Sequence, residues 1–102
     1  MRQFDVYENP APEARTFAPY LVVLSSHLLL DFDDAVVAPL VNDAQHTVSA
    51  LELDVEIEGE PLVMVISDLS AIEGRELRRY VGTLENREFD IRRALDRLFT
   101  GF

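Results

Sequence analysis

Leu51-Glu52-Leu53-Asp54-Val55-Glu56-Ile57-Glu58 alternates four apolar residues with four acids, and no other stretch restricts the fold as tightly. Successive side chains leave a pleated strand on opposite sides, so this pattern buries one face and leaves the other as a row of carboxylates. Wound into a helix, the same residues would spread their apolar groups around the whole circumference. Gly59-Glu60 supplies a tight turn with Pro61 just behind it, and Leu62-Val63-Met64-Val65-Ile66 returns as a more fully buried strand. The segment reads as an antiparallel hairpin.

Other runs extend the same theme. Gln3-Phe4-Asp5-Val6-Tyr7 has the period of a half-buried strand, and Glu8-Asn9-Pro10-Ala11-Pro12 breaks it because proline lacks a backbone donor. Residues 13–18 read as a loop. Tyr20-Leu21-Val22-Val23-Leu24 is apolar and β-branched enough for a buried strand. Leu28-Leu29-Leu30 and Phe32 follow, interspersed with Asp31, Asp33 and Asp34. Val36-Val37-Ala38-Pro39-Leu40-Val41 reads as a strand whose Pro39 points to a sheet edge or a bulge. Ser67-Asp68-Leu69-Ser70-Ala71-Ile72 fits a turn or a further short strand. Glu76 to Tyr80 follow no single period.

From about Glu85 to Phe99 the period changes. Ile91, Ala94, Leu95, Leu98, Phe99 and Phe102 recur at the spacing of one helical face. Glu85, Glu88 and Asp90 fall in the first turns and Arg92, Arg93 and Arg97 in the later ones, an order that complements the helix dipole. Glu88 and Arg92 can pair at i, i+4, and Gly101 is placed to end the helix in a left-handed cap. Periodicity alone allows Phe99 and Phe102 to pack inward or to stay exposed. The expected fold is mostly β (α+β): an SH3-like barrel or curved antiparallel sheet with a C-terminal α-helix, in a single domain.

Charge narrows the function. The 102 residues carry a net charge of −10, which repels phosphate backbones and argues against general nucleic-acid or anionic-membrane binding. Residues 1–74 hold two Arg against fourteen acids, whereas residues 75–102 hold seven Arg against five. All the basic residues are Arg, the side chain suited to fixed bidentate contacts, although a bias in codon usage explains that equally well. No apolar run approaches the roughly 20 residues of a membrane span, and with no cysteine to form disulfides a cytoplasmic setting is expected.

Catalytic patterns are absent from the sequence. His27 and His46 stand too far apart for a metal-ligand pair on one helix. Counted from Asp31, a calcium loop would need Gly and Glu where Val36 and Asn42 stand. Alternate acids such as Glu52 and Asp54 lie about 7 Å apart on a strand face, but nothing in the sequence encloses them in a pocket. No cofactor, metal or catalytic residue is expected.

Several segments carry a family likeness. Gln3-Phe4-Asp5-Val6-Tyr7-Glu8-Asn9-Pro10, Val36-Val37-Ala38-Pro39-Leu40, Val55-Glu56-Ile57-Glu58-Gly59-Glu60, Ser67-Asp68-Leu69-Ser70-Ala71-Ile72, Val81-Gly82-Thr83-Leu84 and Leu98-Phe99-Thr100-Gly101-Phe102 fall in the order seen in CcdB toxins. The chain resembles that family over nearly its whole length. The resemblance implies a homodimeric SH3-like barrel that poisons DNA gyrase by binding its A subunit, without catalysis. It also implies neutralisation by a CcdA-like antitoxin with a flexible acidic tail.

The implied gyrase contacts are Leu28, Leu29, Asp96, Phe99, Thr100, Gly101 and Phe102, and the implied dimer contacts are Met64, Leu69 and Leu98. The family's final residues usually read Phe-Trp-Gly-Ile, so Thr100 stands where a Trp is usual. Ser25-Ser26-His27 likewise replaces a usual Gln-Ser-Asp. Two alternatives stay open. One is a CcdB-fold binding module that no longer poisons gyrase, which Thr100 favours. The other is a MazF-like ribonuclease, which the negative charge disfavours.

Overall fold

The computed structural model describes residues 1–26, 34–42 and 51–101. The alternating segment forms β4 (Glu52–Ile57), joined to β5 (Glu60–Val65) by a two-residue turn. The turn is made by Glu58 and Gly59, with φ of 53° and 80°, one residue earlier than the Gly59-Glu60 expected. Two consecutive positive φ values give the type I′ turn, whose twist matches that of the flanking strands.

The other strands are β1 (Asp5–Glu8), β2 (Tyr20–Val23), β3 (Asp34–Asn42), β6 (Ser70–Glu73) and β7 (Tyr80–Thr83). Helix α1 (Glu88–Thr100) follows them. The strands form one curled antiparallel sheet in the order β4-β5-β3-β2-β1-β7, with β6 pairing β3 off that path. The fold is mostly strand with one C-terminal helix, as the periodicities imply.

Pro39 lies on neither an edge nor a bulge. β3 is central: along one side it pairs β2 continuously from Val37 to Leu40. Along the other side it pairs β6 as far as Val37 and β5 from Leu40 onward. Val36 O accepts from Leu24 N on the β2 side, so strand alternation turns the Pro39 nitrogen to the opposite side. There it meets the gap between β6 and β5, where no donor is required. Ser67 to Ile72 resolve into a 3-10 turn over Ile66–Asp68 and then β6. Of the region from Glu76 to Tyr80, Leu77 is buried and Tyr80 opens β7.

β1 begins two residues later than its alternation suggested. Phe4 precedes it at φ 73°, a conformation that bulky residues seldom adopt. Its N–H donates to Val23 O at 2.7 Å, its carbonyl accepts from Leu84 N at 2.9 Å, and its ring is buried in the core. Contacts on both sides therefore hold the unusual backbone in place.

Apolar clusters form on both faces of the sheet. Val6, Val22, Leu40, Met64 and Ile66 on the inner face pack with Ile91 and Ala94 of α1. Tyr7, Leu21, Val23 and Val37 form a smaller cluster with Leu77 on the outer face. Tyr7 stacks edge-on against Tyr80 at 5.8 Å. Burial, followed by the nearby Asp5 charge and then Tyr80, pushes the Tyr7 phenol above its ordinary range. A phenol whose folded pKa exceeds its unfolded value leaves stability intact below about pH 10 and lowers it as the unfolded chain ionises above that. Denaturant midpoints measured between pH 9 and 11.5 should therefore fall, and Tyr7→Phe should flatten the fall.

Candidate protein-binding helix

Helix α1 is positioned from the sheet. Leu84 N bonds Phe4 O, Glu85 N donates to Thr83 Oγ1 at 3.2 Å, and a 3-10 turn over Glu85–Arg87 leads in. Arg87 fixes the entry by donating to the Asp54 carbonyl of β4 at 2.5 Å and to the Asp90 carboxylate at 3.2 Å. The inner face of the helix then buries Ile91 and Ala94 completely, with Leu95 and Leu98 packed partly against the same core.

The outer face is different in kind. Phe99 is 71% exposed and Phe89 is 72% exposed. The inward-packing alternative for Phe99 thus does not hold, because the core is already filled by Ile91, Ala94, Leu95 and Leu98. Arg92 bonds Glu88 at 2.7 Å and lies 6.0 Å from the Phe4 ring centre. Arg93 lies 5.8 Å from the Phe89 ring centre. Asp96 is exposed, and its backbone carbonyl accepts the Thr100 hydroxyl at 2.5 Å. That bond turns the polar end of Thr100 back onto its own helix. Gly101 ends α1 at φ 80°, its N–H donating to Arg97 O at 3.1 Å. This is the left-handed cap expected, and a non-glycine residue there would be strained.

Asp96, Phe99, Thr100 and Gly101 are thereby brought together on the end of one helix. Leu28, Leu29 and Phe102 lie outside the described residues. Leu69 and Leu98 are half-buried at the margin of the inner core. Met64 is 0% exposed, so its side chain has no surface to offer a second copy, and a dimer contact through it is corrected. The reason is its register: Met64 lies opposite Leu40 and Leu53 on the inner face of the sheet. Phe89 was missed by sequence reasoning. It sits off the apolar face defined by Ile91 and Leu95, and that offset was the signal that could have found it.

The carboxylate row of β4 is open rather than enclosed: Asp54 and Glu56 are exposed on an edge strand, and Glu58 is exposed in the turn that follows. Among the described residues no group of three or more His, Cys, Asp or Glu is arranged to hold a metal ion. The arginines outside the helix are largely occupied. Arg15 and Arg79 both approach the Glu8 carboxylate, at 3.4 and 3.6 Å, and Arg75 pairs with Glu73.

With the helix and sheet in this arrangement, the family model described as CcdB protein matches residues 3–101. The chain belongs to the CcdB family. A search of curated proteins finds no match. Among solved structures, the Mycobacterium tuberculosis toxin MazF-mt6 superposes with a TM-score of 0.72 at 18% identity, over 96% of each chain. An endoribonuclease in complex with its cognate antitoxin from Mycobacterial species gives 0.75 at 13% identity, over 94% of this chain and 91% of that one. A structure described as an Mtb toxin gives 0.67 at 21% identity, over 80% of this chain and 92% of the other. At such identities these likenesses establish a shared fold and nothing finer.

Proposed function

We propose that the chain is the toxin of a toxin–antitoxin pair and acts by binding the A subunit of DNA gyrase through the outer face and end of α1. The observation that carries this reading is the exposure of Phe99 at the end of a helix whose inner face is already complete. A large aromatic left in water has the composition of an interface anchor. Catalysis has no part in the proposal. Asp54 and Glu56 of β4 are exposed, and the net charge of −10 opposes an RNA substrate. A CcdA-like antitoxin is the neutralising partner, and the cytoplasm, where gyrase works, is the setting.

The active species is a homodimer in which Leu69 and Leu98 lie near the contact. Light scattering at micromolar concentration should give twice the chain mass, and a stable monomer would refute this.

Purified protein added to gyrase, ATP and supercoiled plasmid should accumulate cleaved DNA, and the same protein should leave a mixed RNA substrate intact. Cleavage of the RNA would transfer the chain to the ribonuclease class. Binding to antitoxin with no effect on gyrase would leave a binding module of the same fold, the role that Thr100 favours.

A further inference from the structure

Phe89 has no structural duty that the chain itself explains. It projects from α1 into solvent, while the helix docks through Ile91 and Ala94 on the opposite side. Phe89, Arg93, Asp96 and Thr100 recur at i, i+4, i+7 and i+11, which aligns them as one stripe along the solvent face. Phe99 flanks the far end of that stripe, about 15 Å along the axis from Phe89 at 1.5 Å per residue.

We propose that Phe89 and Arg93 form a second anchor of the surface that binds the gyrase A subunit. The inference rests on the reading above that the outer face of α1 docks there. The anchor fits a partner groove with an apolar recess for the Phe89 ring and a carboxylate or backbone carbonyl beside it for the Arg93 guanidinium.

Three observations carry the inference. The pair is already assembled in the free chain, with the guanidinium 5.8 Å from the ring centre, so less conformational freedom is lost on docking. Among the described residues the Arg93 guanidinium lies over the Phe89 ring and makes no ion pair. Its neighbour Arg92 is by contrast held by Glu88 and lies over Phe4. Finally, the stripe is continuous with Phe99 and Thr100, so one groove of helical length receives both ends. Phe89 supplies at the start of the helix the aromatic area that Thr100 does not supply at its end.

The test compares Phe89→Ala, Arg93→Ala and Phe99→Ala with the parent chain for binding to purified gyrase A subunit and to the antitoxin. Circular dichroism would show that each variant keeps its helix. Phe89→Ala should weaken gyrase binding at least tenfold and Arg93→Ala severalfold, with antitoxin affinity unchanged. If only Phe99→Ala weakens gyrase binding, the second anchor is wrong and the gyrase reading stands. If the parent chain does not bind gyrase at all, that reading falls and the anchor with it. Loss of antitoxin binding alone would assign the pair to the other partner and overturn the inference.

Discussion

Thr100→Trp should bind the gyrase A subunit about 30-fold more tightly than the parent chain, the effect of gaining one interface anchor of roughly 2 kcal/mol. Thr100 is exposed on the last turn of α1, and its hydroxyl is bonded back to the Asp96 carbonyl. It therefore offers an approaching protein little more than a methyl group. An indole at the same place would add a large flat surface beside Phe99 without entering the core. The helix already ends at Gly101 in a left-handed cap, so the substitution leaves its termination untouched. Surface plasmon resonance against immobilised A subunit gives the affinity, and the growth of cells expressing each form gives its consequence. Equal affinity for the two forms would mean that the end of the helix is not where gyrase is held.

Ile91→Ala should lower the free energy of unfolding by about 3 kcal/mol, within the range of 2–5 for truncating a fully buried aliphatic residue. Ile91 is completely buried where α1 meets the inner face of the sheet, and Ala94 beside it has no side chain long enough to fill the gap. The loss has two parts: apolar atoms no longer removed from water, and the cavity left behind. Urea denaturation checks it. A change below 1 kcal/mol would show that the helix settles onto the sheet and closes the space. Phe89→Ala is the natural comparison, because its exposed ring should make it nearly neutral for stability.

Much of the fold was legible in the residues. The β4–β5 hairpin announces itself because period-two alternation has one structural meaning, and α1 does so through Ile91, Ala94, Leu95 and Leu98. Local pattern failed where distant strands decide the outcome. Pro39 signals a missing donor, but only the arrival of β5 and β6 on the same side of β3 reveals that the donor was never needed. Met64 entered as a dimer contact through the family resemblance, whereas the apolar run around it already read as a buried strand, which its 0% exposure matches. The candidate site was half legible. Gly101 was readable from its helix-ending role, but Phe99 fitted the buried face as well as the exposed one, and Phe89 was legible only through its offset from the apolar face. Exposure is a property of the assembled fold.

The two ends of the sheet also decide how copies of the molecule treat one another. An unpaired strand edge is a template on which a further chain can grow into an ordered aggregate. β7 is only four residues long, with a register irregularity in its pairing to β1, and offers such growth little purchase. β4 is longer, but Asp54 and Glu56 line it and Glu58 follows in the turn, so a second β4 laid alongside would bring like charges together. The carboxylate row of this edge thus acts as a colloidal brake on growth from β4.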